Sequence, residues 1–177
     1  TEAPGRRFYY SNLDAHLVTL ALASRLPVPV HDFARDVLFA PLGIEAPEWQ
    51  RSPLGLAQGG GGLGLRTRDL WALGQLYLGG GTFRGQRVLP AEWVQASLSP
   101  QAQANEAADY GYLWWLMKVP GPSGERVLPA MAGTGGNAVF LVPEADAVIV
   151  ITTTNYNVPQ PHQLTFKLLT QQLLPRL

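Results

Sequence analysis

The sequence has no cysteine among its 177 residues. That excludes a disulfide framework, a thiolate metal site and a catalytic thiol, and it leaves the redox compartment open. Lysine is almost as scarce, with Lys118 and Lys167 the only two. No excess of either charge exists, since 13 basic side chains balance 13 acidic ones without a Lys/Arg run. A balanced chain has no electrostatic footprint for nucleic acid or an acidic membrane surface, which argues against both as partners. Long apolar runs are lacking too: those at 17–26 and 147–151 are too short or interrupted to span a bilayer, and 1–11 has no signal-peptide core. His16, His31 and His162 show no metal-ligand spacing, so neither a metal nor another cofactor is expected.

What is present is a globular composition, 46% apolar with 19 glycines and 15 prolines, long enough for one domain or one domain and a piece of another. After a turn signal at Ala3-Pro4-Gly5, apolar residues at helical spacing predict a helix over 13–25 with Asn12 as its cap. Pro27 and Pro29 end it, and Asp32 caps a second short helix through Leu38. The stretch 46–64, with prolines and the run Gly59 to Gly62, reads as a long loop. Helices are expected over 67–79, stopped by Gly79-Gly80-Gly81, and from Leu89-Pro90, followed by a polar loop over 99–109. Beyond it, 110–118, 137–142 and 147–154 read as three antiparallel strands, the last two joined as a hairpin through 143–146. A helix from Gln163 should lie across that sheet, which makes the chain α+β: a helical, glycine-interrupted part over 1–109 and a strand-rich part over 110–177.

Candidate chemistry is sparse. The glycine runs have no phosphate-loop pattern, and no G-x-S-x-G elbow occurs. Tyr10-Ser11-Asn12, just ahead of the first helix, is the informative triplet. A phenol serves as a base only where cations or donors favour its anion, and an amide two residues on can hold such a cation or a substrate. The same triplet also reads as a packed tyrosine beside a helix cap. Ala132-Gly133-Thr134-Gly135-Gly136-Asn137 leads into a strand and reads in isolation as a glycine turn, and Asn155 reads as a turn residue at a strand end. Trp114-Trp115, Tyr110 and Tyr112 are assigned to the sheet core.

Taken in order, PGRRFYYSNLDAHLVTLAL, FARDVLFAPLGI, GLGLRTRDLWALGQLYLGGGTFRGQRVLPAEWV, YGYLWW and AGTGGNAVFLVPEADAVIVITTTN closely resemble the latter half of the penicillin-recognising serine hydrolases. That family includes class C β-lactamases, D-alanyl-D-alanine peptidases, esterases and 6-aminohexanoate-oligomer hydrolases, and its members are often exported. The resemblance implies a β-lactamase-like (DD-peptidase-like) fold in which 1–109 belongs to the helical subdomain and 110–177 to the α/β subdomain. Three family motifs meet in one cleft: Ser-x-x-Lys, Tyr-x-Asn, and Lys-Thr-Gly or a variant on a strand. Tyr10 and Asn12 match the second, which implies that Tyr10 moves the proton of the nucleophilic serine and that Asn12 holds the lysine partner or the substrate amide.

Gly133, Thr134, Gly135 and Gly136 resemble the A-x-G-x-G-G-Q form of the third motif, with Asn137 for the glutamine and no lysine. That match implies backbone approach to a substrate oxyanion, and Asn155 falls near where family members touch substrate. Without that lysine a neutral ester or amide is favoured over a penicillin-type carboxylate. The first motif is absent, because Trp115 and Leu164 stand three residues before the two lysines. The expectation is therefore the C-terminal portion of an acyl-serine hydrolase whose small-molecule substrate is an ester or amide and whose N-terminal half, bearing the nucleophile, lies outside the chain. A non-catalytic remnant or pseudo-enzyme, using the fold as a binding surface, is the rival expectation.

Overall fold

The structure is a computed structural model that describes residues 3, 5–45, 47–121 and 124–177. The first turn closes through the Arg6 N–H, which donates to Ala3 O at 3.3 Å; Pro4 of the expected signal, like Ala46, lies outside the described residues. Helix α1 (Asn12–Ala23) starts one residue earlier than its periodicity suggests. Ser11, not Asn12, is its cap: Ser11 is extended and its Oγ accepts the Leu13 N–H at 3.2 Å, leaving the Asn12 side chain out of the cap. Likewise α2 (Val30–Ala34) begins after Pro29, so Asp32 sits inside the helix and pairs with Arg35 at 2.6 Å instead of capping. It continues as a π turn over Arg35–Phe39 and a tighter turn over Ala40–Leu42, closed by left-handed Gly43.

The expected loop over 47–64 is there, pinched by two bridges, Trp49 to Leu63 and Arg51 to Ala57, and by the Trp49 indole N–H donating to Gln58 O at 2.9 Å. Helix α3 (Thr67–Leu78) is fastened at its start by Asp69, whose carboxylate accepts the Arg66 backbone N–H at 2.9 Å and its guanidinium at 3.0 Å. The inward face of α3, Ala72 and Leu76, joins Phe39, Leu42, Ile44 and Phe83 in one apolar cluster. The small hairpin of β1 (Thr82–Phe83) and β2 (Gln86–Arg87) follows, then the expected short helix, α4 (Ala91–Ser97), which starts after Pro90 rather than including it in its first turn.

The remaining strands form one antiparallel sheet in chain order: β3 (Ala102–Asn105), β4 (Ala108–Tyr110), β5 (Trp115–Gly121), β6 (Gly124–Gly133), β7 (Asn137–Val142) and β8 (Ala147–Ile151). This corrects two expectations. The segment 99–109 is not a loop but supplies β3 and β4, so the sheet begins at Ala102. The sheet has six strands among the described residues rather than three, because β6 is a full central strand paired to β5 and β7. The hairpin between β7 and β8 is as expected, and so is the final helix, α5 (Gln163–Leu168), which runs on through Leu169–Leu173 across the sheet. Leu169 and Leu174 cover Leu128, Ala130, Ala138 and Phe140 on one face, while Val139 and Val148 turn to α3 on the other. Contact with α3 is close because Gly74 has no side chain: a Cβ there would lie 2.5 Å from Val148 Cγ1.

Candidate active site

Where α1 meets the sheet, an open cleft of about 280 Å³ forms. Phe8, Tyr10, Ser11 and Asn12 supply one side, Tyr110, Trp115, Met131 and Ala132 the sheet side, and Gly59 and Gly60 the loop side. The glycines are there for a steric reason. A Cβ on Gly59 would run into Thr19 Oγ1 and come within 2.5 Å of Ala15 O, and one on Gly60 would lie 2.8 Å from Asn12 O. The loop can therefore rest directly on the α1 backbone, which carries Asn12.

Tyr10 is half exposed, and its ring lies 5.4 Å from that of Trp115 and 6.2 Å, edge-on, from that of Tyr110. Burial, and secondly the Tyr10 phenol, push Tyr110 up to about 12, so Tyr110 stays protonated at neutral pH and is no candidate base. Sequence reasoning assigned Trp115 and Tyr110 to the core; the structure puts both in the cleft wall, while Trp114 is buried against Tyr77 and Tyr112 stacks on Trp93. The signal that could have found them is pairing: Tyr110 stands directly across from Trp115 in the β4–β5 ladder.

The glycine motif occupies the turn after β6. Ala132 borders the cleft; Gly133 ends the strand and Thr134–Gly136 form the turn, outside the residues that line it. That turn is held from behind. Gly135 O accepts from Thr153 Oγ1, Gly136 O from buried Thr165 Oγ1 at 2.5 Å, and Asn137 Nδ2 donates to Thr134 O at 2.8 Å. Both Gly135 and Gly136 have positive φ, and a Cβ on Gly136 would strike Pro161 O. Asn155 lies in the segment after β8, its N–H 3.5 Å from Thr153 Oγ1, and does not line the cleft. The structure therefore brings Tyr10 and Asn12 together with the end of β6 at Met131 and Ala132, and leaves Gly133, Thr134, Gly135, Gly136 and Asn155 outside the cleft lining.

The Beta-lactamase family model matches residues 1–173. The chain belongs to the beta-lactamase family. Among solved structures, a proposed 6-aminohexanoate-dimer hydrolase from Bacillus anthracis superposes with a TM-score of 0.84 at 19% identity, over 99% of this chain and 46% of that one. An octameric penicillin-binding protein homologue from Pyrococcus abyssi gives 0.72 at 17% identity, over 99% and 46% of the two chains. A beta-lactamase from Mycobacterium bovis gives 0.76 at 14%, over 99% and 66%. At these identities the likeness shows the fold, which is β-lactamase-like and mixed α and β. The chain spans about 46% of the length of the first two relatives. No curated protein matches its sequence. Among the described residues no helix is long and apolar enough to cross a membrane, and no three His, Cys, Asp or Glu gather as a metal set.

Proposed function

We propose that this beta-lactamase family chain supplies the Tyr-x-Asn side and the substrate strand of an acyl-serine hydrolase acting on an ester or amide. The observation that carries the reading is that Tyr10 and Asn12 line the same cleft as the end of β6. In the proposed cycle Tyr10, held as its phenolate by the lysine of the Ser-x-x-Lys, accepts the proton of the serine hydroxyl, and the serine oxygen attacks the substrate carbonyl carbon. The Tyr10 proton then passes to the departing alcohol or amine as the acyl-serine forms, and water cleaves that intermediate. Asn12 donates to the substrate or accepts from the nucleophile's lysine. The motif match would have backbone N–H groups of Gly133 and Thr134 reach the developing oxyanion, which requires the substrate to extend past Ala132, the last residue of that strand lining the cleft. The Ser-x-x-Lys comes from polypeptide outside this chain, since neither Lys118 nor Lys167 is preceded at the right spacing by serine. In this arrangement 1–109 serves as part of a helical subdomain and 110–177 as part of the α/β one.

The test is a p-nitrophenyl ester assay on the full natural polypeptide. Expected is a burst of nitrophenol equal to the protein concentration, with Tyr10→Phe slowing turnover by about 10²-fold or more and leaving folding unchanged. Turnover that survives Tyr10→Phe overturns the assignment. The lysine count favours one second reading, a non-catalytic binding protein built on the same fold. No burst from material that carries no Ser-x-x-Lys in any polypeptide would establish it.

A further inference from the structure

Where β6 ends, Gly133 and Thr134 are exposed, and the chain then turns inward so that Gly135 and Gly136 are buried. The carbonyls of all three turn residues are held by side chains: Thr134 O accepts from Asn137 Nδ2 at 2.8 Å, Gly135 O from Thr153 Oγ1, and Gly136 O from Thr165 Oγ1 at 2.5 Å. Asn137 and Thr153 are also bonded to each other, since Asn137 Oδ1 accepts the Thr153 N–H at 2.9 Å. One continuous chain therefore runs from Thr134 O through the Asn137 amide and Thr153 to Gly135 O. The half-buried amide has a further partner in Tyr156 Oη, 3.3 Å from Nδ2, so its oxygen and nitrogen are both engaged. Asn137 also fixes Thr134 from its other side, because Gly133 stands opposite Asn137 at the last pair of the β6–β7 ladder. A peptide group is planar, so a held carbonyl fixes its whole unit. The Thr134 backbone is thus bracketed by one residue, through the ladder before it and the side-chain amide after it.

We propose that Asn137 is a positioning residue for oxyanion stabilisation, tying the strand end at Gly133 and Thr134 to Thr153 on the segment after β8. The inference rests on the acyl-serine hydrolase reading, in which the Gly133 and Thr134 N–H groups reach the oxyanion. Asn137 touches neither substrate nor nucleophile and acts through the turn. A misplacement of about 1 Å costs on the order of 10²-fold in rate, even when its origin is away from the chemistry. Formation and hydrolysis of the acyl-serine both pass through a tetrahedral oxyanion, so both steps should slow together. A residue needed only for folding would instead reduce the amount of competent protein and leave the rate constants of the remainder unchanged.

The test separates rate constants from amounts. The full natural protein and its Asn137→Ala variant are mixed with a p-nitrophenyl ester in a stopped-flow instrument. The burst rate constant and the later turnover per burst site should both fall by about 10- to 100-fold, with KM changed by less than about threefold. Thr153→Val, which keeps the N–H and removes the hydroxyl, should slow both constants as well, and it serves where Asn137→Ala does not fold. Tyr156→Phe keeps the ring beside Gly135 and the bond to Thr134 O, so both constants should stay within about twofold of wild type. A smaller burst amplitude with unchanged rate constants overturns the positioning role. Hydrogen exchange needs no turnover and tests the link itself. In Asn137→Ala the Thr153 amide, deprived of its acceptor, should exchange about tenfold faster or more while β5 amides keep wild-type protection. Unchanged exchange at Thr153 overturns the link, whereas absence of a burst from the wild type counts against the hydrolase reading, so the two failures are told apart.

Discussion

Helices α1 and α3 each run for 12 residues and are placed in opposite ways. Helix α3 buries Asp69, Ala72, Gly74 and Leu76, whereas α1 buries none of its residues, although eight of its twelve are Ala, Leu or Val. Composition does not explain the difference; arrangement does. In α3 Ala72 and Leu76 share one face, turned to the Phe39 and Phe83 cluster, and Gly74 on the opposite face lets the helix close on the sheet. In α1 the apolar residues surround the axis, which is the composition of an enclosed helix, yet Leu17 and Val18 are 55% and 62% exposed. What seats α1 is backbone contact with Gly59 and Gly60 and the ring cluster around Tyr10, all on the cleft side. One helix is part of the core; the other begins with Asn12, two residues after Tyr10, and its remaining apolar faces suit the polypeptide proposed to bring the nucleophile.

The comparison breaks most sharply at Leu76, which is fully buried. Leu76→Ala should cost about 2–5 kcal/mol, because a methylene-rich side chain leaves a cavity between α3 and the cluster of Phe39 and Phe83. Denaturant titration measures it, and a loss below about 1 kcal/mol would show that α3 is no better anchored than α1. Next come the glycines that dock each helix. Gly74→Ala should cost about 1–3 kcal/mol, since its Cβ would stand 2.5 Å from Val148 Cγ1. Gly59→Ala should show up differently, as local protection lost from α1 amides in hydrogen exchange while the sheet stays protected. Equal loss in both regions would mean that α1 and the sheet unfold as one unit.

A smaller effect is expected where α3 begins. Hydrogen bonding to Arg66 holds the Asp69 carboxyl below its usual range, against the opposing influence of burial. A lowered folded value means that the group stabilises the fold above about pH 4 and that this contribution is lost as the pH falls through the lowered value. Asp69→Ala should therefore cost about 1 kcal/mol at neutral pH, and the variant and wild-type curves should converge in acid. A constant offset at all pH values would assign the cost to packing instead of to the carboxylate.

Much of this was legible beforehand, and the failures have physical causes. Periodicity found α1, α3 and α5 because their apolar spacing is helical whatever surrounds them, and the hairpin of β7 and β8 announces itself as two β-branched runs around Pro143. Strand β6 stayed hidden because Pro129 sits within it, and a proline argues against a central strand. The register shows how it is accommodated: β7 pairs with β6 only from Ala130 onward, so Pro129 lies just outside that ladder. Strand β3 stayed hidden because Gln103 and Asn105 are polar and face solvent on a sheet edge, where polarity protects against further pairing. In the cleft, Tyr10 and Asn12 were readable from their motif, but Tyr110 and Trp115 depend on a cross-strand pairing that local pattern does not reveal.

The smallest expected effect tests the other end of the comparison. Leu17→Ser, on an exposed face of α1, should change stability by less than about 0.5 kcal/mol in this chain alone, since the side chain is already in water. In the full natural polypeptide the same substitution should cost more, about 1–3 kcal/mol, if the α1 surface is covered there. The informative quantity is the difference between the two measurements. A near-zero cost in both settings would leave α1 a solvent-facing helix whose apolar composition has some other cause, and would weaken the proposal that a nucleophile-bearing segment packs against it.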